Sequence, residues 1–317
     1  MGQIARLKGD GDPAVPAQFD GAHQIVRRIA GAAALAALAL LASGASGARS
    51  EEGAAPPAKS VVKSAVKSVV KSACHRSAFR VVIDVGHTID SPGADSARGV
   101  PEYQFNLALA GVIKDQLVEA GFDNAVRLVT TTKHLAGLVE RAARANAMHA
   151  DLFSAIHHDS VPNNLIETWE YEGQKHQFSD RFSGYSIFVS PENGDYQGSL
   201  AFGHLLGMAL QARGLHYTPH YTLPLMGRHR RLLVDAEAGV YRFDLLVVLR
   251  ETRMPAVLLE AGSIVNRRDE LVLETADRRT LIASAVSAAV DDFCAARTRP
   301  APTAAVPARV KPAALVQ

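Results

Sequence analysis

The chain has 317 residues, 48% of them hydrophobic and 21% charged, with a formal net charge of +2 and two cysteines. This composition suits a globular protein with a sizeable core, and two cysteines are too few to build a fold from disulfides. The positive surplus lies within the first 50 residues, so the remainder has no global electrostatic drive toward nucleic acid or an anionic membrane.

Arg27-Arg28 precede an Ala/Leu-rich apolar run, Ile29 to Leu41, and the small-residue stretch Ala42 to Ala48 follows. Charge, a short apolar core and a small-residue cleavage region make residues 1–48 a secretory signal peptide. The alternative is an uncleaved anchor, but the run is short for a membrane span. The expectation is therefore export to the periplasm or cell envelope, with no stable membrane span after cleavage. Residues 49–77 repeat a Lys-Ser-Val/Ala unit from Lys59 to Cys74. A solvated low-complexity linker is the preferred reading over a basic tether for an anionic polymer. Residues 297–317, rich in Pro and Ala, read as a disordered tail. An oxidising compartment would leave one bridge open, between Cys74 and Cys294.

Between these segments lies a single domain, 78–296. Phe79 to Asp84 reads as a strand. A loop with Pro92-Gly93 and Gly99 follows, then a helix from Glu102 to Ala120 with Phe105, Leu109, Val112, Ile113 and Leu117 on one face, ended by Gly121. Val126 to Thr130 is a strand, Leu135 to His149 a helix and Asp151 to His157 a third strand. A polar insertion, Ser160 to Ser183, precedes a strand at Tyr185 to Val189 and a helix at Ser199 to Arg213. Leu215 to Asp244 reads as irregular. Leu245 to Leu249 and Ala256 to Glu260 read as strands, and a helix over Arg279 to Ala296 closes the domain. The β-α-β-α-β alternation predicts an α/β fold, a mostly parallel mixed sheet with helices on both faces.

Three apolar runs end in ionisable residues: Val81 to His87, Leu152 to His157 and Ala256 to Glu260. Parallel strands deliver such residues to one carboxyl edge, where open α/β sheets bind ligands. Zinc favours imidazole and carboxylate, and a catalytic site keeps three protein ligands with a fourth position open. His87, Glu102 and His157 fit that count, and Glu260 is placed to serve as general base on a water. Each has an ordinary alternative: Glu102 as a first-turn acid on the helix dipole, the histidines as satisfied polar residues and Glu260 as a salt-bridged acid.

These residues carry a resemblance. Val82-Ile83-Asp84-Val85-Gly86-His87, Gly99-Val100-Pro101-Glu102 with Asn106-Leu107, Arg141 with Arg144-Ala145-Asn146, Ala150 to His157, and Met254 to Gly262 with Asn266 resemble the zinc-dependent N-acetylmuramoyl-L-alanine amidases. The resemblance implies hydrolysis of the amide between N-acetylmuramic acid and L-alanine in peptidoglycan, a Zn2+ cofactor held by His87, Glu102 and His157, and Glu260 as the catalytic glutamate. It further implies peptidoglycan as the partner, and a regulatory activator protein is a candidate for a second one that the sequence itself does not reveal. The rivals are a different zinc peptidase or amidase of the cell wall and a non-catalytic peptidoglycan-binding module.

The pattern departs from the family at Val85 and Thr88, at His158-Asp159 after the ligand histidine, and at Ser263-Ile264-Val265. His158 then either supports the ligands or adds one, and Asp84 and Asn266 are further candidates for a supporting or substrate-facing role. The insertion Ser160 to Ser183 is read either as a lid over the cleft, since the resembled family includes autoinhibited enzymes with a helix there, or as a surface loop. The cluster Arg228-His229-Arg230-Arg231 is read as a solvated patch, with contact to substrate carboxylates as the alternative.

Overall fold

A computed structural model describes residues 74–297. The expected signal peptide, the linker up to residue 73 and the tail from residue 298 lie outside the described residues. A seven-stranded sheet is ordered β2-β1-β3-β9-β6-β8-β7. Its strands are β1 (Val81–Val85), β2 (Val126–Leu128), β3 (Leu152–Asp159), β6 (Ser186–Val189), β7 (Leu232–Asp235), β8 (Val240–Arg242) and β9 (Ala256–Ser263). The pairs β1/β2, β1/β3, β3/β9 and β6/β8 are parallel, while β6/β9 and β7/β8 are antiparallel. The fold is the expected mostly parallel mixed sheet.

The two-residue period of a strand divides β1 between two cores. Val81, Ile83 and Val85 face a core built with α1 (Glu102–Glu119), α3 (Tyr196–Gln211) and α6 (Ala276–Arg297), through Leu109, Ile113, Phe202, Leu206, Val286 and Phe293. Val82 faces the other core, with Phe153, Leu258 and residues of α2 (His134–Ala147) and α4 (Val247–Arg250) such as Ala145 and Val248. Asp84 points to this second side, is buried, and pairs with Arg141 of α2 at 2.8 Å. Helices thus cover both faces.

α1 begins where Pro101 holds φ at −63°. It ends at Gly121, whose φ of +90° lets its N–H and that of Phe122 donate to the carbonyls of Val118 and Leu117. The loop before α1 is clamped by the buried carboxylate of Glu270, at the start of α5 (Asp269–Leu273). It accepts from Ser96 Oγ at 2.6 Å, from the Arg98 N–H at 2.9 Å and from the Arg98 guanidinium at 2.5 Å. The clamp fixes where α1 enters and therefore where Glu102 stands.

Several expectations change. Leu245 to Leu249 is not a strand. Its end forms the short helix α4, with Val248 and Leu249 buried and Leu245 exposed, because a five-residue apolar run does not distinguish helix from strand. The stretch taken as irregular contains β7, β8 and short 3₁₀ turns at His220–Thr222 and Pro224–His229. Residues 74–77, read as linker, are held on the domain: Cys74 forms a disulfide with Cys294 of α6, and Arg76 makes a two-pronged ion pair with Asp291 at 2.8 Å.

The insertion holds a hairpin of β4 (Glu167–Tyr171) and β5 (Gln174–Phe178), not a helix. Its two-residue turn, Glu172-Gly173, has both φ values positive (51° and 75°), the geometry that matches strand twist. Trp169 Nε1 donates to the carbonyl of Ala97 at 2.9 Å, and the Arg98 and Arg267 guanidiniums lie over the Trp169 ring at 5.3 and 5.1 Å. These contacts hold the hairpin against the loop before α1.

The disulfide closes a loop of 220 residues, and cross-links of long loops stabilise by roughly 2–5 kcal/mol. Cys74→Ser is expected to lower the melting temperature by about 5–15 °C under non-reducing conditions. In a strong reductant the variant and the parent should melt together. Melting curves that coincide without reductant would contradict this.

Candidate metal centre and active-site cavity

β1, β3 and α1 bring three side chains to the carboxyl edge of the sheet. His87 follows β1, His157 lies near the end of β3, and Glu102 opens α1. His87 Nε2 lies 2.9 Å from Glu102 Oε2, and His157 Nδ1 lies 3.0 Å from Glu102 Oε1. One donor atom from each of the three lies within 4.8 Å of the others, the one such group among the described residues.

The backbone is shaped around this point. His87 has φ +65°, a left-handed conformation unusual for a residue with a side chain and typical of functional sites. A Cβ at Gly86 would fall on the His157 ring, and one at Gly93 (φ +85°) would meet the Glu102 carboxylate and the His87 ring. Only glycine leaves room for the cluster at these two positions.

Glu102 is buried, and its oxygens are densely partnered. Oε1 accepts from the His158 N–H at 3.2 Å and the Asn106 amide at 3.1 Å, and Oε2 faces the Ala94 N–H at 3.4 Å. Burial alone would raise its pKa, but hydrogen bonds and charge from His157 and His87 hold it well below the usual carboxylate range. The His157 pKa is lowered by burial, against the pull of Glu102. An ionised carboxylate, and a His157 imidazole held toward its neutral form, are donor states a divalent cation requires. Three such donors on a tetrahedral zinc stand about 3.4 Å apart, so the cluster fits zinc.

Glu260 is one strand away. β3 and β9 pair in parallel with His157 opposite Glu260. Its Oε2 is buried without a hydrogen-bond partner. Burial, then the negative charges of Asp159 and Glu102, push its pKa well above the ordinary value. Glu260 as a whole is half-buried, but a carboxyl oxygen buried without a partner is costly, and such groups cluster where proton transfer is needed.

The remaining predicted residues take supporting places. His158 is not part of the three-residue group. Its Nδ1 meets Asn106 Oδ1 at 2.8 Å and burial lowers its pKa to about 4, so it is a neutral ring bracing the amide that in turn holds Glu102. Asp84 lies beneath the site. Burial pushes it up to about 7 against the opposing Arg141, whose guanidinium also donates to the carbonyls of Val85 and His87 and fixes the turn after β1. Asn266 does not line the cavity. Its amide donates to the Phe182 carbonyl, and its oxygen accepts from the N–H groups of Arg268 and Asp269.

The cavity has a volume of about 660 Å³ and is lined by the three clustered residues and Glu260, together with His158, Asp159, Tyr221, residues 160–164 and residues 225–229. Of the insertion, only its start reaches the cavity, and the hairpin does not cover it. Two groups went unnoticed in the sequence. The Tyr221 hydroxyl donates to Asp159 Oδ1 at 2.7 Å, and His220 Nε2 lies 3.7 Å from Asp159 Oδ2. Burial raises the Asp159 pKa to about 7. The departure at Asp159 was the one available signal. Tyr221 lay in a stretch without periodicity.

A histidine–glutamate–histidine cluster at the carboxyl edge of the parallel strands, beside a carboxyl with one buried, unpartnered oxygen, defines the site as a candidate metallohydrolase centre. Residues 81–292 match the family described as N-acetylmuramoyl-L-alanine amidase, and the chain belongs to that family. It is therefore an amidase enzyme acting on peptidoglycan. The Bacillus subtilis (strain 168) protein YqiI is 28% identical over 218 residues, covering 67% of this chain and 84% of that protein. The amidase Ami1 of Mycobacterium smegmatis shares the fold with a TM-score of 0.52 at 18% identity, covering 69% of this chain and 98% of that one. Ami1 of Mycobacterium abscessus does so with a TM-score of 0.51 at 19% identity, covering 68% and 98%. Among the described residues no helix is long and apolar enough to cross a membrane.

Gly86→Ala is expected to weaken zinc affinity by roughly 10–100-fold, the range seen when the support of a ligand is lost, with the far-UV circular dichroism retained. Competition against a chromophoric chelator measures it. Unchanged affinity would show that the His157 ring need not sit where it does.

Proposed function

We propose that this chain cleaves the amide between N-acetylmuramic acid and L-alanine with His87, Glu102 and His157 holding a zinc ion and Glu260 acting as the general base. The chemistry zinc supplies when bound is Lewis acidity toward the amide carbonyl and toward water. Glu260 takes a proton from the attacking water at its unpartnered Oε2 and passes it to the departing alanine nitrogen, as the carbon–nitrogen bond breaks and the amine leaves. Glu102 holds both imidazoles in orientation, and Arg141 holds the backbone carbonyls of the turn that presents His87. Export to the periplasm or cell envelope, on the signal sequence read at residues 1–48, places the enzyme with its substrate.

The observation that carries this reading is the register of Glu260 opposite His157 with a buried, unpartnered oxygen. A non-catalytic binding module has no use for such a group, whose burial is unfavourable without a function.

Glu260→Gln keeps shape and removes the proton acceptor. Release of new amino-terminal L-alanine from purified peptidoglycan is expected to fall by about 10²–10⁴-fold, while zinc content stays at the parent level. Retained activity would remove Glu260 from the mechanism. Cleavage products lacking amino-terminal L-alanine would assign the enzyme to a different bond.

A further inference from the structure

The cavity lining carries charges of both signs. Glu102, Asp159 and Glu260 contribute carboxylates, and Arg228 contributes a guanidinium to a wall that also holds His229, Asn163 and Asn164. Those carboxylates would repel an anionic substrate, and the Arg228 guanidinium supplies an opposing charge.

The wall is built in a way that frees one of its arginines. Arg231 is committed to structure: its N–H donates to the Tyr221 carbonyl at 2.7 Å, its guanidinium donates to the carbonyls of Arg228 and Arg230 at 3.0 and 2.9 Å, and it lies 3.7 Å over the Phe243 ring. Arg230 Nε donates to the Thr222 carbonyl at 2.7 Å. Between them they fix the backbone after Gly227, whose φ of +52° turns the 3₁₀ segment. Met226 beneath it packs with Val161, Leu165 and Val265, joining this wall to the segment that carries Asn163 and Asn164. Arg228 alone of the three arginines lines the cavity. It is exposed, and among the described residues no carboxylate pairs with it. Its contact is Nε donating to His229 Nε2 at 3.2 Å, which leaves both terminal nitrogens of the guanidinium for a ligand. A guanidinium with its fork open, in a cavity also lined by side-chain amides, matches a carboxylate in geometry and charge.

We propose that Arg228, in contact with His229 and sharing the cavity wall with Asn163 and Asn164, is a specificity-determining subsite for a free carboxylate on the peptide stem of the substrate. This rests on the amidase reading above and extends it. The enzyme then distinguishes stems that carry that carboxylate from stems in which the group is a carboxamide, because only the former gives a charge-assisted pair with Arg228.

The test uses two soluble muramoyl peptides that differ only in that group, carboxylate or carboxamide, and the zinc-loaded protein. The parent enzyme is expected to show a kcat/KM for the acid about tenfold or more above that for the amide. Arg228→Gln should bring the ratio close to 1, and Arg228→Lys, which keeps charge but not the fork, should retain part of it. Should Arg228→Gln fail to fold, raising the salt concentration with the parent enzyme should narrow the ratio, since an exposed pair is screened. A parent ratio near 1, or an undiminished ratio in Arg228→Gln, overturns the subsite while leaving the amidase reading intact. Failure of the parent to cleave either peptide at the muramoyl–alanine bond overturns the amidase reading itself.

Discussion

The structure around the site depends on one buried carboxylate. Glu102 gathers both histidine rings, the His158 N–H and the Asn106 amide onto two oxygens. An isolated ionised carboxylate at that depth would be strongly unfavourable, and what makes it tolerable is saturation with donors and charge. These four donors come from three parts of the chain: the turn after β1, the end of β3, which supplies two of them, and the first two turns of α1. The strands set the directions, the Glu270 clamp and Pro101 set where α1 begins, and Glu102 ties these ends into one constellation.

The charges at the sheet edge suit a cation. Asp84 is offset by Arg141. Among the described residues no arginine or lysine pairs with Glu102, Asp159 or Glu260 in the same way, and burial or like charge raises the pKa of the latter two. A divalent ion held by His87, Glu102 and His157 would supply fixed positive charge where the side chains supply lone pairs. Glu260 would then be the proton acceptor of the proposed reaction.

Much of this arrangement is legible in the sequence because it rests on strong, local signals. Largely apolar runs of four or five residues leading to an ionisable group mark β1, β3 and β9, and their parallel pairing puts His87, His157 and Glu260 at one edge without any knowledge of loops. Glu102 follows from a proline-initiated helix with a clear apolar face. What escapes the sequence has weaker or competing signals. α4 shares its composition with a buried strand. The hairpin at Glu167 to Phe178 was announced by its Glu-Gly turn and interleaved aromatics, yet its polar faces hid it. Tyr221 and Arg228 sit on 3₁₀ turns too short to have a period, so their place in the cavity emerges only from tertiary packing. Asn266 lay close to a strand end, but local hydrogen bonds at the start of α5 claim its side chain.

The central claim is that His87, Glu102 and His157 share one zinc ion and leave a position open to solvent. X-ray absorption at the zinc edge on the purified, zinc-loaded protein tests it most directly. The account predicts one zinc per chain with nitrogen and oxygen neighbours at about 2.0–2.2 Å, imidazole scattering from two histidines, and loss of one imidazole contribution in His157→Ala. A protein that binds no zinc, or one whose zinc spectrum is unaltered in His157→Ala, would contradict it.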